Sequence, residues 1–437
     1  MDFKMDIPSH ILEIIRIIED SNYEVYLVGG CVRDSLLNIK INDYDLTSNA
    51  SVNQLKEVFK DYKIINNNGE KHSTITVRFN HENIEITSFK RNDDEDNSIE
   101  VDLSHRDITM NAMAYNPRKG LIDPYNGVDS IKNKMIKTVL DPIARFKEDP
   151  LRILRVLRFA SKYSFKINNE DIKAMYLLKD SLKDIAKERI ASEINGILVG
   201  NSAFDIILNY KVILGVVIPE LIPTFDFDQK TKYHLHDVYT HTCYVVKNTM
   251  PDLVTRLAAL FHDIGKPDAY FEEIKDGLVI GHFYGHPKDS KRITQKILRR
   301  LKYSNEIIED VLFLIEYHDY TIGYNKKSVS KLLSKIPNDM INNYYRLLDL
   351  KNADHLDHQC VPEIDFILLK EIANDIIKTN SCLKIKDLKV NGNDLISLGF
   401  VGKEIGDTLK ELLEKVLDEK LKNNFDELIE YIKKTKN

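Results

Sequence analysis

Cysteine is scarce in this chain, with Cys31, Cys243, Cys360 and Cys382 among 437 residues. None belongs to a CxxC pair and their spacing matches no disulfide framework, so we expect free thiols and a reducing, cytoplasmic environment. Long apolar runs are also missing, since none reaches the roughly 18 residues that a membrane-spanning helix needs. The N-terminal segment interleaves charges with its apolar residues and carries no cleavage signal. We therefore expect no membrane span and no membrane partner.

A strong net charge of either sign is absent as well. Lysine and arginine total 62 against 68 aspartates and glutamates, which gives a formal net charge of -6. Binding to nucleic acid would therefore depend on local basic patches rather than on the charge of the whole chain. The composition is that of an ordinary globular protein, and the length exceeds one comfortable core. We expect two or more domains.

Strand-forming segments crowd the first third of the chain. Four runs are rich in β-branched and aromatic residues: EVYLV at 24–28, YDLTS at 44–48, STITVRF at 73–79 and NIEITSF at 83–89. Between them we predict short helices over 31–38 and over 52–60, the second with Ser51 as its N-cap. This mixture is typical of a small α/β domain built around a mixed sheet.

From about residue 141 onward, helical periodicity continues almost without interruption, with few glycines and no clear strand pairs. The predicted fold class is therefore α+β, with an α/β head followed by an all-helical body. We predict a head at 1–140, a helical neck at 141–225, a third helical domain at 226–375 and a helical tail at 376–437.

A phosphate-binding turn is predicted where Gly29 and Gly30 follow the strand that ends at Val28. Glycine lets the backbone approach a ligand closely, and the following helix presents unpaired N–H groups to anionic oxygens. Arg33 can add a charge-assisted fork to the same phosphates. A glycine pair before a helix is, however, equally compatible with a structural turn.

Asp43 and Asp45 make the phosphate interpretation more specific. Residues two apart on a strand point to one face, so both carboxylates should converge. Like charges at that distance repel unless a cation neutralises them, and hard oxygen ligands favour Mg2+. We predict that these two aspartates bind Mg2+ and support phosphoryl chemistry; the alternative is an exposed turn with incidental acids. Glu85 is a candidate third carboxylate or a paired edge-strand acid.

A basic helix is predicted after Asp149 and Pro150, which suit the N-cap and the first helical position. Arg152, Arg155 and Arg158 recur every three residues and form one basic stripe. The neighbouring apolar stripe, which should face the core, consists of Leu151, Leu154 and Leu157. The alternative is a capped amphipathic helix whose arginines are merely solvated.

These segments together resemble a known family. GGCVRDSLLN at 29–38 and NDYDLTSNA at 42–50 are similar to the first motif of class II tRNA nucleotidyltransferases and bacterial poly(A) polymerases, of the form GGxVRDxLL…DxDxxT. RDITMNAMAY at 106–115 is similar to their RRDFTxNA motif, with His105 replacing the first arginine. EDPLRILRVLRF at 148–159 resembles their EDxLRxLRxxRF segment.

The resemblance implies a template-independent RNA nucleotidyltransferase that adds CMP and AMP from CTP and ATP to the tRNA 3′ end. It assigns ribose and phosphate contacts to Arg106 and base selection to Asp149 and Arg152. Arg155 and Arg158 would lie along the triphosphate or brace Asp149. Cytosine and adenine both place an amino donor beside a ring-nitrogen acceptor, which a carboxylate and a guanidinium can match, whereas uracil and guanine carry a carbonyl there.

Histidines concentrate in the helical half. Adjacent His262 and Asp263, with His241 upstream and Asp354 downstream, resemble the H…HD…D pattern of the HD phosphohydrolase superfamily. Imidazole and carboxylate ligands together suit Mn2+, Ni2+, Fe2+ or Co2+. The resemblance leaves open whether such a domain hydrolyses a phosphodiester or 2′,3′-cyclic phosphate or serves as a scaffold.

The remaining histidines are less informative. A second metal position could be completed by His286 and His318. The sequence alone assigns no role to His234, His236, His282, His355 and His358. The tail at 376–437 has apolar residues at helical spacing, which are more often core than ligand, and its lysines are balanced by acids.

Two rival functions share the head motifs: a poly(A) polymerase, and an enzyme that adds only the two cytidines. Family members that add all of CCA usually carry a longer flexible loop before the RRDFT motif, associated with the switch from CTP to ATP. The corresponding segment at 91–104 is shorter and acidic, with Asp93, Asp94, Glu95, Asp96, Glu100 and Asp102. A third rival, of another class, has the HD site as its principal activity, and a fourth is a non-enzymatic RNA-binding scaffold.

Overall fold

The chain forms two compact units, Met1–Ile206 and Ile207–Asn437, in the computed structural model. The residues that the structure describes are 3–65, 73–90, 97–231, 233–359, 364–379 and 382–436. The finer predicted boundaries near 140, 225 and 375 stay predictions.

The first unit combines a sheet with surrounding helices. Its strands are β1 (Val25–Val28), β2 (Leu46–Ser48), β3 (Lys63–Ile65), β4 (Thr74–Phe79), β5 (Glu82–Ser88), β6 (Ala114–Asn116), β7 (Gly120–Ile122), β8 (Met135–Ile136) and β9 (Lys166–Ile167). Its helices are α1 (Ser9–Asp20), α2 (Gly30–Leu36), α3 (Val52–Val58), α4 (Ile99–Ser104), α5 (Gly127–Lys132), α6 (Pro142–Glu148), α7 (Arg152–Tyr163), α8 (Asn169–Leu178) and α9 (Lys187–Leu198). Helix α10 (Ala203–Asn209) spans the boundary between the units.

The head sheet has seven strands in the order β3-β4-β5-β2-β1-β6-β7. The β2–β5 pair is parallel and its neighbours are antiparallel, so the prediction of a mixed sheet is confirmed. All four residues of β1 are buried, which fits its central position. Ser51 caps α3 in a reciprocal capping box with Gln54, as expected from the sequence.

The aspartate pair lies beside the strand rather than on it. The predicted strand at 44–48 begins only at Leu46, so Asp43 and Asp45 occupy the extended segment before β2, and this part of the prediction is wrong. Pairing with β5 starts at Leu46 opposite Ile86, while the Asp45 carbonyl still accepts a hydrogen bond from the Val28 N–H. The segment before β2 is thus joined to β1 by this backbone hydrogen bond but does not form a strand.

The basic helix starts later than predicted. Its first helical residue is Arg152, and Asp149 lies in the break between α6 and α7, so its assignment as an N-cap is wrong. The Asp-Pro cap that does form is Asp141 and Pro142, where the Asp141 carboxylate accepts the Ala144 N–H at 2.9 Å. The predicted core stripe of Leu151, Leu154 and Leu157 is buried.

The second unit is mostly helical. Its helices are α11 (Lys211–Val217), α12 (Val238–Asn248), α13 (Leu253–Phe261), α14 (Lys266–Ala269), α15 (His286–Arg300), α16 (Asn305–Tyr317), α17 (Lys326–Leu333), α18 (Met340–His355), α19 (Phe366–Lys378), α20 (Gly392–Ser397), α21 (Lys403–Leu417) and α22 (Phe425–Lys436). In the tail, Leu409 and Leu412 are buried in a local hydrophobic core, as expected for apolar residues at helical spacing. Among the described residues, no helix combines the length and apolarity needed to cross a bilayer.

Strand pairs do occur beyond residue 141, contrary to the prediction. Strand β9 pairs with β8, and a hairpin joins β10 (Phe271–Lys275) to β11 (Leu278–His282). Asp276 and Gly277, with φ of 51° and 77°, form the hairpin turn. An Asp-Gly pair favours a type I′ turn, so the signal was present in the sequence, although the hairpin is too short to interrupt the helical pattern around it.

Candidate nucleotide-binding site and histidine cluster

A cleft of about 460 Å3 in the first unit brings the predicted head residues together. Its lining draws on the glycine turn, the segment before β2, the 102–111 region and the start of α7. The lining residues are Gly29, Gly30, Arg33, Asp45, Thr87, Lys90, Asp102, His105, Arg106, Asp107, Asn111, Asp149, Arg152, Arg155 and Phe159.

The glycine turn at the mouth of this cleft demands glycine for two reasons. Gly29 has a φ of 70°, a backbone angle that residues other than glycine rarely adopt. A Cβ atom at this position would also lie 3.0 Å from Arg106 Nη1. Arg33 on α2 is buried; its Nη1 donates to the Asn111 side-chain oxygen at 2.6 Å and its guanidinium lies 5.2 Å from the centre of the Tyr163 ring. The arginine is therefore oriented before any ligand binds.

Of the two aspartates, Asp45 lines the cleft, and Asp43 lies close enough for its charge to act on Asp45. Desolvation raises the pKa of the Asp45 carboxyl, and the negative charge of Asp43 adds to this, while Arg106 opposes it. Mutual repulsion between two carboxylates is the property that a bound cation would relieve. Asp43 does not line the cleft itself. Glu85, exposed on β5 opposite Thr76, does not line it either.

The predicted base-selecting residues both line the cleft but do not pair with each other. Asp149 Oδ1 accepts the Leu151 N–H at 3.2 Å and Oδ2 lies 2.9 Å from Arg189 Nη2. Arg152 is buried, with Nη1 donating to Glu148 at 2.6 Å and Nη2 donating to the His105 carbonyl at 3.0 Å. The residue that replaces the motif's first arginine thus contributes its backbone.

Two members of a hydrogen-bond network in the wall of the cleft, Asp107 and Asn111, were missed by sequence reasoning. Asp107 is buried and receives hydrogen bonds from Arg155 Nε at 2.8 Å and from the Asn111 amide at 2.9 Å. Burial raises the pKa of Asp107, but the Arg155 charge and the Asn111 hydrogen bond lower it by more, so it lies below its usual value. Through Asn111 the same chain of contacts reaches Arg33. Both residues lie inside the quoted RDITMNA motif, which was the available signal.

Arg158 lies outside the cleft, unlike Arg152 and Arg155 of the same basic stripe. Its Nε donates to Glu193 on α9 at 2.6 Å, and its guanidinium lies 4.2 Å from the centre of the Phe159 ring. It does not line the cleft. Its contacts join α7 to α9, so any effect on the nucleotide would pass through the position of α7.

The histidine cluster lies in the second unit, where the ends of several helices meet. His241 lies on α12, His262 and Asp263 directly follow α13, and Asp354 lies near the end of α18. The prediction that the His-Asp pair lies inside a helix is wrong by one residue, because α13 ends at Phe261. His241 Nε2 lies 3.0 Å from Asp354 and 3.6 Å from Asp263, and His262 Nε2 lies 3.2 Å from Asp263.

The second predicted pair joins the same cluster. His286 Nε2 lies 3.1 Å from Asp263 Oδ1 and 3.3 Å from His318 Nε2. Burial and the neighbouring His262 and His286 lower the pKa of His318 to about 3, so it is neutral at ordinary pH. The geometry brings together His241, His262 and Asp263 in one group of possible ligands and Asp263, His286 and His318 in another.

Backbone carbonyls fix the orientation of three of these rings. The Nδ1 atoms of His262, His286 and His318 lie 2.8, 3.0 and 2.7 Å from the carbonyls of Ala259, Phe283 and Ile315. Each Nδ1 must carry its proton to donate there, so each Nε2 presents a lone pair to the cluster. A hydrogen bond from the ring nitrogen that does not bind the metal orients a metal-bound histidine in this way.

The donor set therefore fits a metal ion. Among the described residues, His262 Nε2 is buried without a hydrogen-bond partner, and the buried Asp263 carboxylate lies between the Nε2 atoms of His262 and His286. Lys266 Nζ forms an ion pair with Asp263 at 2.7 Å. Two histidines for which the sequence suggested no role also lie here: His234 and His358, whose Nε2 atoms are 2.9 Å apart.

Two family descriptions match the chain. Residues 25–137 match the Poly A polymerase head domain, and residues 286–432 match a domain described as "tRNA nucleotidyltransferase domain 2 putative". The first match covers the sheet and the glycine turn, and the second covers the later part of the histidine cluster and the tail.

Relatives of known function match over nearly the whole length. A CCA-adding enzyme of Lactobacillus helveticus is 28% identical, over 96% of this chain and 96% of the relative. The mitochondrial CCA tRNA nucleotidyltransferase 1 of Homo sapiens is 29% identical, over 95% of this chain and 87% of the relative.

The fold agrees with solved structures. The CCA-adding enzyme of Bacillus stearothermophilus in complex with CTP has a TM-score of 0.73, with 22% identity and 98% of each chain covered. The Thermotoga maritima CCA-adding enzyme complexed with tRNA has a TM-score of 0.57, with 20% identity, covering 98% of this chain and 96% of that one. The sheet, the cleft and the helical body thus define a nucleotidyltransferase of the poly(A) polymerase head type. More narrowly, the chain belongs to the class II CCA-adding enzyme family.

Proposed function

We propose that this chain adds CMP and AMP from CTP and ATP to the 3′ end of tRNA and so builds or repairs the CCA terminus. The observation that carries the proposal is the single cleft lined by the glycine turn, Asp45, Asp149 and Arg152. Phosphate contacts, carboxylate chemistry and base selection are all required at one nucleotide, and the cleft supplies all three. Relatives that match almost end to end are CCA-adding enzymes.

Base selection follows from how Arg152 is held. Its contacts to Glu148 and the His105 carbonyl lock the guanidinium in place, and among the described contacts its Nε–H is not used. That N–H can donate to the ring nitrogen of cytosine or adenine, while the Asp149 carboxylate accepts from the exocyclic amino group. Uracil or guanine would oppose a carbonyl to the carboxylate and leave buried polar groups unpaired, at a cost of about 1–3 kcal/mol.

Phosphate binding is assigned to Gly30, Arg33 and Arg106, with Arg155 next to them. Family membership implies a divalent metal; we propose that it is Mg2+ and that Asp43 and Asp45 hold it. When bound, the metal would supply electrophilic stabilisation of the phosphate oxygens. The tRNA 3′ hydroxyl then attacks the α-phosphate and pyrophosphate leaves, with the arginines offsetting the charge that develops.

The test uses tRNA transcripts that end before CCA, after C and after CC, each offered CTP, ATP, UTP or GTP separately, with sequencing of the 3′ ends. We expect CMP on the first two and AMP on the third. Addition of AMP to all three, and to unrelated RNAs, would instead identify a poly(A) polymerase.

A second activity is favoured by the histidine cluster. We propose that His241, His262, Asp263 and Asp354 bind a transition metal such as Mn2+, Ni2+, Fe2+ or Co2+, with His286 and His318 at a second position. The supporting observation is the convergence of histidine Nε2 atoms on the buried Asp263 carboxylate. When bound, the metal would activate water for hydrolysis of a phosphodiester or 2′,3′-cyclic phosphate.

The test of this activity is release of the monoester from a nucleoside 2′,3′-cyclic phosphate, with each metal added to chelator-treated protein. Hydrolysis that depends on metal and is lost in His262→Ala supports the proposal. Its absence across all four metals would leave the cluster a structural role.

A further inference from the structure

A cluster of three aromatic rings, from Phe271, His282 and Tyr284, lies on and just after the β10–β11 hairpin, beside the histidine cluster. Phe271 and His282 are stacked at 5.1 Å between ring centres, and His282 and Tyr284 at 5.3 Å with an angle of 18° between their planes. Tyr284 is 76% exposed and Phe271 47%. We call these three residues the aromatic platform. The ring centres of Phe271 and Tyr284 also lie 5.6 Å apart, so the three rings form one contiguous cluster. A contiguous exposed apolar patch of this kind marks a candidate binding surface.

The platform forms part of the wall of a cavity of about 1000 Å3 in the second unit. His282 and Tyr284 line this cavity together with His234, Lys266 and Asp263. The cavity lining therefore combines aromatic rings with an ammonium group and the candidate metal ligands. A ligand that fills it needs a flat apolar part and an anionic part.

The hairpin is fixed in this position by its backbone. The Gly281 N–H donates to the Lys230 carbonyl at 2.9 Å, and a Cβ on Gly281 would lie 2.3 Å from the Gln229 carbonyl oxygen. Close packing of this kind holds β11 against the 229–230 segment, so His282 is placed at the cavity before a ligand arrives. A preformed platform binds with little loss of conformational entropy.

We propose that the aromatic platform stacks a nucleobase, so that the cavity binds a nucleoside phosphate or an RNA 3′ end that carries a phosphate, and not a small phosphate compound. The base lies on the outer face of Tyr284 and the phosphate points toward Lys266 and the histidine cluster. Aromatic stacking accepts any base, because every base has a π face. This base-stacking proposal specifies a substrate for the hydrolytic activity proposed above. It depends on that activity only for the direction in which the phosphate points.

The absence of tryptophan from the chain allows a local test. Tyr284→Trp introduces a single indole into the platform, and base stacking should quench its fluorescence. The probes are cytidine 2′,3′-cyclic phosphate, a short RNA ending in a 2′,3′-cyclic phosphate, and inorganic phosphate, each titrated in EDTA. We expect quenching by the first two and none by phosphate; stronger quenching by the RNA would identify an RNA end as the preferred source of the base.

The matched control is Phe425→Trp, which places the single indole in the tail at a position that is 48% exposed in the native protein. Its fluorescence should not respond to either probe. Equal quenching at both positions, or none at Tyr284→Trp, would overturn the platform. Because no metal is present, this outcome is separate from a failure of hydrolysis.

A second measurement does not depend on the tryptophan substitution. In equilibrium dialysis with cytidine 2′,3′-cyclic phosphate, Tyr284→Ala should weaken binding about tenfold or more, whereas Tyr284→Phe should bind like the native protein. Unchanged affinity in Tyr284→Ala would show that the base lies elsewhere. Loss in both variants would show that the hydroxyl matters and not the ring, which would also contradict stacking.

Discussion

At the scale of single residues, nucleotide addition is expected to depend on the carboxylates of Asp43 and Asp45. Asp43 and Asp45 lie close enough for the charge of one to raise the pKa of the other. We predict that Asp43→Ala or Asp45→Ala lowers kcat for CMP addition about a thousandfold or more, because several kcal/mol of charge stabilisation is lost with the metal. Single-turnover addition to a tRNA lacking CCA measures this.

Glu85→Ala is the matched comparison, since this acid is exposed on the neighbouring strand and does not line the cleft. Its activity should stay near that of the native enzyme if it is only a paired edge-strand acid. A loss as large as for Asp45→Ala would make Glu85 the third ligand. Near-native addition by both aspartate variants would exclude the metal assignment.

Asp149 is expected to select the base. Because its contact is to the base edge and not to the phosphates, Asp149→Ala should raise misincorporation of UTP and GTP by about five- to a hundredfold, with a smaller change in triphosphate binding. Competition assays with mixed nucleotides report this ratio. Arg189→Ala removes the partner of Oδ2 while leaving the carboxylate, and should affect selection less. Unchanged exclusion of UTP and GTP in Asp149→Ala would assign the residue a purely structural role.

Site residues whose role follows from residue type and spacing could be predicted from the sequence. Gly30, Arg33, Asp45 and Arg152 were all predicted, and all line one cavity. Asp107 was not, because nothing in its spacing says that Arg155 will lie opposite it; that pairing depends on tertiary structure. The start of α7 was misplaced for a related reason, since an Asp-Pro pair can equally occupy the break between two helices.

At the scale of secondary-structure elements, α7 is tied to the head by the Asp107–Arg155 ion pair at 2.6 Å. Asp107→Asn should lower the free energy of unfolding by about 1–3 kcal/mol and raise KM for CTP, because Arg155 loses its charged partner. The pKa of Asp107 is lower in the folded protein than in the unfolded chain, so its contribution is complete above about pH 4 and lost as pH falls through the folded value. The difference between variant and native protein should therefore shrink only in acid.

Glu193→Gln provides the control, since Glu193 pairs with Arg158 at the same 2.6 Å but outside the cleft. We expect a similar loss of stability with an unchanged KM for CTP. A raised KM in both variants would mean that α7 position alone, rather than the Asp107 contact, controls nucleotide binding. Chemical denaturation and steady-state kinetics on the same preparations separate the two effects.

The histidine cluster predicts how metal affects stability. Burial lowers the pKa of His241, but hydrogen bonds to Asp354 and Asp357 raise it by more, to about 9. Because the pKa of His241 is higher in the folded protein than in the unfolded chain, its protonation stabilises the metal-free fold fully at pH below about 6.5. This stabilisation is lost as the pH rises toward 9. Metal must displace that proton, so the rise in Tm on adding Mn2+ should be larger at about pH 8.5 than at about pH 6.

Asp263→Asn should abolish this metal-dependent rise in Tm, since Asp263 belongs to both groups of possible ligands. Asp357→Asn leaves the ligands in place but removes a partner of His241, and should weaken the effect without removing it. A metal response that is equal at both pH values, or intact in Asp263→Asn, would contradict metal binding at the cluster. Nucleotide addition by Asp263→Asn is expected to persist, because the cleft lies in the other unit.

At the scale of the whole molecule, the open question is whether one chain completes CCA. The relatives that match over 96% of the chain are CCA-adding enzymes, whereas the acidic segment at 91–104 favours addition of two cytidines only. Residues 91–96 lie outside the described part. Within the described part, Asp102 is buried and its carboxylate receives the Lys90 N–H at 3.0 Å and pairs with Arg106 at 3.4 Å, so this acid supports the cleft.

We predict that the enzyme adds AMP to a tRNA ending in CC, but more slowly than it adds CMP. The cleft offers one carboxylate–guanidinium pair that suits both bases, while the negative charge of Asp93, Asp94, Glu95 and Asp96 repels a triphosphate. Single-turnover rates for ATP on a CC end and for CTP on a C end give the comparison. Replacing these four acids by their amides should raise the AMP rate more than the CMP rate. The difference should be larger at low salt than at high salt, because added salt screens charge repulsion. If addition stops completely after CC, and the amide variant does not restore it, the chain adds only cytidines. If the native enzyme adds AMP and CMP at equal rates, the acidic segment does not limit the addition of AMP.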